Sequence, residues 1–295
     1  MTLPTFVIGG APKAGTTALW ALLAEHPDVW MSRLKEPYFL TRDVNNPAPG
    51  VRIIGAPRTN SYPRGLEWYE SLFAEGADRR ARGEASTHYI GALDGPELME
   101  RHVPGLKVIF ILRQPVDRMY SHYWHNEKRG HSLPPFRAVL EDHPDLRYLE
   151  YMSRYGQHVE RYRQALGPDR VHLVLFDDLR TRPAEVFREV CRFIEVDDSF
   201  QPDFAAEHNP YGTPASRSLQ RAITRTTYMR WTFLPEGVRR SARRMRIALQ
   251  NWNLRRAAYR PIDEDVRRQL QDHFELDISY VERLTRPLPE WRPGA

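Results

Sequence analysis

Near the N-terminus the chain reads Thr5-Phe-Val-Ile8-Gly9-Gly10-Ala-Pro-Lys13-Ala14-Gly15-Thr16-Thr17-Ala-Leu-Trp. A short apolar run ends in two glycines, a lysine-bearing turn follows, and apolar residues at helical spacing then run to His26 before Pro27. Thr5 to Ile8 reads as a buried strand, Thr16 to His26 as a helix, and the glycines between them as a tight connection. Gly10 and Gly15 have the G-x-x-x-x-G spacing of a turn whose backbone N–H groups, with the helix N-terminus, cradle an anionic phosphate. The ATP/GTP version of this loop carries Lys directly after the second glycine. Here that position is Thr16, and Lys13 lies two residues before Gly15. The loop is of the phosphate type but departs from the nucleoside-triphosphate signature, and its ammonium approaches from another side.

Similar units recur. Lys107 to Leu112 (KVIFIL) is an all-apolar strand closed by Arg113-Gln-Pro, with a helix expected from Val116 through His125. Val171 to Phe176 (VHLVLF) is a third, closed by Asp177-Asp178. Helices are expected over Leu66–Ala74, Tyr148–Ala165, Pro183–Ile194 and Glu264–Thr285. Gly83–Ile90 is ambiguous, and the Pro-, Gly- and Asn-rich residues 41–65 read as loop. Buried strands alternating with helices define an α/β fold with a P-loop-type central parallel sheet flanked by helices, and a helical C-terminal part. After Asp203 the strand signals cease. The expectation is one domain over 1–295, with an α/β core over 1–205 and a lid loop and C-terminal helices over 206–295.

Composition excludes several classes. A single cysteine, Cys191, leaves no intrachain disulfide framework and no cysteine-cluster metal site. No apolar run approaches ~18 residues, and no basic segment precedes an apolar one at the N-terminus, so a cytoplasmic location is expected. The net charge of +5 is uneven: residues 217–260 carry twelve arginines against Glu236 alone. Such a stretch implies an anionic partner of unspecified kind. Only four of the 43 basic residues are lysines: Lys13, Lys35, Lys107 and Lys128.

A second candidate site follows the KVIFIL strand. Arg113 leaves its carboxyl end, where parallel sheets gather ligands, and Ser121 lies two turns into the next helix. Arg by a forked contact and Ser by its hydroxyl suit one phosphate. Alternatively, Arg113 pairs with Asp117 as an ordinary capping ion pair.

Together, PKAGTT, HPDV, KEPYFL, VIFILRQPVDRMYSHYWH and DISYVERLTRPLPEW resemble the sulfotransferases that use 3′-phosphoadenosine-5′-phosphosulfate (PAPS). The resemblance is nearest to the heparan sulfate N- and 3-O-sulfotransferase branch and its bacterial relatives, and spans nearly the whole chain. It implies a 5′-phosphosulfate site at Lys13, Ala14, Gly15, Thr16 and Thr17, with Lys13 stabilising the departing phosphate. Arg113 and Ser121 match the 3′-phosphate site. Glu36, in Lys35-Glu36-Pro-Tyr-Phe39, falls on the position of the catalytic base. The loop Asn209–Arg217 matches the family's lid, with Arg217 as a further phosphate contact. The acceptor implied is a hydroxyl on a carbohydrate or glycosylated metabolite. The resemblance departs at Ala85, where the glycosaminoglycan enzymes carry Lys; the missing cation is absent or supplied elsewhere, Lys35 being the nearest candidate.

Sulfuryl transfer needs a proton acceptor for the hydroxyl, a stabilised leaving phosphate and alignment. Glu36 is the candidate base and His125, one turn past Ser121, the alternative; otherwise Glu36 is a solvated acid beside Lys35. His88 is a candidate for lining the acceptor pocket. Neither a metal site nor a nucleic-acid motif is expected. Two other classes stay open: a P-loop kinase of a small metabolite using Asp177-Asp178 for Mg²⁺, and a non-enzymatic anion binder. In the latter, the arginine-rich stretch, with residues 229–246, meets an anionic membrane surface.

Overall fold

The computed structural model describes residues 2–45, 48–54, 61–129, 131, 133–205 and 260–292, together with the backbone of 213–214 and 254–255. Five strands form a wholly parallel sheet: β1 (Phe6–Gly10), β2 (Val29–Met31), β3 (Ala81–Ala85), β4 (Lys107–Leu112) and β5 (Val171–Leu175), in the order β2-β3-β1-β4-β5. Phe6, Val7 and Ile8 pair with Gly83, Glu84 and Ala85 on one side and with Lys107, Val108 and Ile109 on the other. The register shifts between Ile8 and Gly10, where β1 turns into the glycine loop. Val108 to Leu112 are fully buried, as expected for a strand apolar on both faces beneath helices on both sides.

Among the described residues the helices are α1 (Thr16–Ala24), α2 (Leu66–Ser71), α3 (Gly95–His102), α4 (Pro115–Lys128), α5 (Arg147–Tyr151), α6 (Tyr155–Leu166), α7 (Phe176–Thr181), α8 (Pro183–Phe193), α9 (Glu264–His273) and α10 (Glu275–Leu284). α4 starts where local chemistry says it should. Pro115 occupies its first turn, and the Gln114 side chain accepts from the Asp117 N–H at 2.8 Å. Among the described residues no helix is long and apolar enough to cross a membrane.

The structure differs from the sequence expectations at several elements. β2 and β3 join the three strands read from apolar runs. The stretch Tyr148–Ala165 is two helices, interrupted at Met152–Arg154, because Ser153 is used elsewhere: its hydroxyl accepts from Arg118 Nε at 2.6 Å. Glu264–Thr285 is likewise two helices, parted at Phe274, whose ring is fully buried. Phe176 opens α7 instead of ending β5, so Asp177 and Asp178 lie on a helix. Among the described residues beyond Asp203, Thr213–Pro214 pairs antiparallel with Leu254–Arg255. The expected lid at 209–217, with Arg217, and the stretch 229–246 fall outside the described residues, apart from Thr213 and Pro214.

Candidate active site

The carboxyl ends of four adjacent strands converge. β1 delivers the glycine loop, β3 delivers Ser86 to His88, β4 delivers Arg113, and the segment leaving β2 runs on beside β3 to Lys35 and Glu36. Two hydrogen bonds carry that last segment along, Ser32 N–H to Gly83 O at 2.8 Å and Glu36 N–H to Ala85 O at 2.9 Å.

The loop needs its glycines. Gly10 has φ +149°, and a Cβ there would sit 2.7 Å from the Thr87 carbonyl oxygen. Gly15 caps α1 at φ +95°, with Phe176 directly against it. No side chain caps α1 and no acidic residue occupies its first turn, so its leading N–H groups face the loop unopposed. The Ala11 N–H ties the loop to Ile111 O at 2.8 Å.

Lys13, at φ +69°, points its ammonium to within 3.5 Å of His125 Nδ1. Burial, reinforced by the like charges of Lys128, Arg113 and Arg129, pulls its pKa down to about 8. His125 is held well below its usual range by burial and then by Lys13, so it is a neutral acceptor for that ammonium. The pairing places His125 beside the glycine loop.

Arg113 donates to Lys13 O at 3.2 Å and lays its guanidinium 4.8 Å from the centre of the Phe176 ring. Asp117 instead takes Arg267, at 2.8 Å, so the capping pair Arg113–Asp117 does not form. Ser121 is buried on α4, one turn before His125, and its hydroxyl has no hydrogen-bond partner. A buried hydroxyl left unpaired is costly, and is the kind of group a bound oxyanion satisfies.

Glu36 does not hang free beside Lys35. Lys35 turns to the Thr17 hydroxyl, and Glu36 Oε1 accepts from Thr87 Oγ1 at 3.0 Å. Burial lowers the Lys35 pKa, opposed by Glu36. Both Glu36 (φ +59°) and Tyr38 (φ +49°) are in the left-handed region, a conformation that costs such residues of order 1–3 kcal/mol each and persists only where surroundings enforce it. His88 is buried and bonded through Nδ1 to the Tyr38 hydroxyl at 2.8 Å, and burial takes its pKa down to about 4.

Asp177 and Asp178 serve the fold. Asp177 accepts from Trp291 Nε1 at 3.1 Å, and Asp178 binds Arg182 and Arg286, each at 2.9 Å. Burial pushes the Asp178 carboxyl up, yet the two arginines prevail and hold it below the usual range. That removes the residues the kinase reading relied on.

Sequence reasoning missed the surroundings of these groups. Lys128, in the last turn of α4, and Arg129, just past its end, act on Lys13. Arg118 is fully buried, bonded to Ser153, Leu149 O and, at 3.2 Å, His122 Nδ1. Glu84, fully buried on β3 beside Tyr69, is pushed up to about 7 by desolvation. Only Lys128 left a signal: in a chain built almost entirely on arginine, three of four lysines gather here.

This is a P-loop-type α/β fold with a glycine-built, lysine-bearing loop at its first turn. A family model described as "Sulfotransferase family" matches residues 4–202, and the chain belongs to that family. It is 27% identical, over 98% of its length, to the bifunctional heparan sulfate N-deacetylase/N-sulfotransferase 4 of Mus musculus, covering 31% of that protein. It is 30% identical, over 66% of its length, to the Homo sapiens homologue 3, covering 22% of it. The chain thus spans a third or less of the curated relatives it matches. A solved sulfotransferase from Alicyclobacillus acidocaldarius has the same fold, with a TM-score of 0.69, 24% identity and 99% coverage of both chains.

Proposed function

We propose that the chain, as one domain over 1–295, moves the sulfuryl group of PAPS onto an acceptor hydroxyl carried by a carbohydrate or glycosylated metabolite. The observation that carries this reading is the unneutralised cationic cradle around the first turn. Lys13 and Arg113 have no acidic partner within ion-pair distance among the described residues, Ser121 is an unpaired buried hydroxyl, and the α1 N-terminus is open. Such a set suits a nucleotide with phosphate at both its 3′ and 5′ positions. PAPS, when bound, supplies an activated sulfonate on a good leaving phosphate.

The chain's own residues have three tasks. Lys13 and the loop N–H groups stabilise charge on the departing phosphate. Arg113 and Ser121 hold the far phosphate and so orient the donor. Glu36, half-buried next to the loop, accepts the acceptor's proton. The relatives are named for heparan sulfate, which favours a sugar acceptor, whereas Ala85 weighs against a long glycosaminoglycan.

The test is transfer of labelled sulfate from PAPS into a fractionated extract of the source cell, with mass identification of the product. Glu36→Gln should lower turnover by about 10³-fold or more, while 3′-phosphoadenosine 5′-phosphate (PAP) still raises the melting temperature without Mg²⁺. Stabilisation by ATP with Mg²⁺ alone would overturn the donor assignment.

A further inference from the structure

Glu36 is the end point of a hydrogen-bonded chain that starts at a buried histidine. Thr87 Oγ1 donates to Glu36 Oε1 at 3.0 Å. The Tyr38 hydroxyl lies 3.5 Å from Thr87 Oγ1 and sits 2.8 Å from His88 Nδ1. Tyr38 is fully buried, Thr87 and His88 nearly so, and His88 Nε2 has no partner.

Counting protons fixes the direction of the chain. An ionised carboxylate only accepts, so the Thr87 proton points at Glu36. Neutral His88 carries one ring proton. On Nε2 it would be a buried donor with nothing to bond; on Nδ1 it is donated to Tyr38. A buried N–H left unpaired is rarer and costlier than an unused lone pair. The Tyr38 proton is then directed at Thr87. Each group donates to the next, and every donation runs toward the carboxylate.

We propose that His88, Tyr38 and Thr87 are positioning residues that hold the Glu36 carboxylate in place through donated hydrogen bonds, leaving its second oxygen for the acceptor's proton. The inference rests on the reading of Glu36 as base. It accounts for the left-handed backbone at Glu36 and Tyr38, which the Glu36 N–H to Ala85 O bond and the Tyr38 N–H to Ser86 Oγ bond at 3.1 Å enforce from β3. The other charged or titratable groups facing Glu36 are Lys13 on the loop, Lys35 on its own segment and Glu84 on β3. Behind His88 stand Arg118 and His122 on α4, and Arg129 just past its end.

The experiment is the pH profile of kcat/KM, with PAP affinity and melting temperature measured on each variant. Removing a donor to a carboxylate destabilises its charged form. Thr87→Val and Tyr38→Phe should therefore move the acid limb up by about half to one pH unit and lower the plateau about tenfold. Thr87→Ser should restore both, with PAP affinity kept within about twofold. A uniform loss at every pH, with the limb unmoved, would overturn the proposal. Where Val or Phe fails to fold, His88 decides. Asn puts its amide donor near the Nδ1 position and should keep the wild-type limb. Gln puts it near Nε2 and should shift it. Equal behaviour of the two overturns the directional chain. Turnover surviving in Glu36→Gln sinks the base itself, whereas a dead Glu36→Gln with unshifted profiles sinks only the relay.

Discussion

Two regions of the molecule treat positive charge in opposite ways. At the C-terminal corner every prominent arginine is matched. Arg286 binds Asp178 at 2.9 Å and Glu290 at 2.8 Å, and Arg292 binds Glu275 and, at 2.6 Å, Glu282. At the first turn the cations hydrogen-bond or stack only against neutral groups, with Glu36 acting on Lys13 and Lys35 from farther off. Lys13 faces His125, Lys35 the Thr17 hydroxyl, and Arg113 a backbone carbonyl and the Phe176 ring. The first arrangement staples α7 to α10 and the chain end, and gains little per exposed pair. The second concentrates charge where burial makes it expensive, so that an incoming anion recovers what the fold gives up.

The contrast breaks if Lys13 is merely structural. Lys13→Met should weaken PAP binding by about 100-fold or more, read by isothermal titration, with little loss of melting temperature or a gain. A large drop in stability with unchanged affinity would place Lys13 with the C-terminal arginines. Asp178→Ala is the mirror experiment. It takes one of two acidic partners from each of Arg286 and Arg182, which keep Glu290 and Glu185, and should cost about 1 kcal/mol of unfolding free energy, while PAP affinity stays within about twofold. A third measurement sharpens the comparison. The Lys13 ammonium titrates at about 8 in the free protein, below the ordinary 10.5. A phosphate binds the charged form, so at pH values above 8 binding must take up a proton, and affinity falls as pH rises, approaching about tenfold per pH unit. Affinity that is flat from pH 7 to 9.5 would show that the ammonium does not meet the phosphate. Lys13→Met should abolish the slope.

What the sequence makes legible is what its chemistry fixes locally. β1 and β4 are continuous apolar runs, and the Gly10–Gly15 loop is written in glycines and one lysine. β3 is not legible as Ala-Arg-Gly-Glu-Ala, because its polar and small residues answer to neighbours far away. Gly83 is there since a Cβ would fall 2.3 Å from the Phe6 ring, and Glu84 meets Tyr69 from α2. The helix breaks at Ser153 and Phe274 are invisible to a periodicity that carries straight through them; a buried arginine and a core aromatic decide them. In the site, Lys13, Glu36, Arg113 and Ser121 sit in short motifs and can be picked out. The relay behind Glu36 cannot, because Tyr38 and His88 are 50 residues apart and meet only through the pairing of β3 with the segment after β2.

The close approach of Gly10 to the Thr87 carbonyl has a consequence for the reaction coordinate. The glycine loop and the Thr87 segment that carries the hydrogen bond to Glu36 meet there, with the Thr87 carbonyl and the Ile90 side chain both within 2.8 Å of where a Cβ would stand. In-line transfer loses rate steeply with added separation. A single methyl group at residue 10 would therefore act as a wedge, lengthening the jump from leaving oxygen to acceptor without touching either substrate. Redesign of the acceptor side should leave that hydrogen-only seam intact.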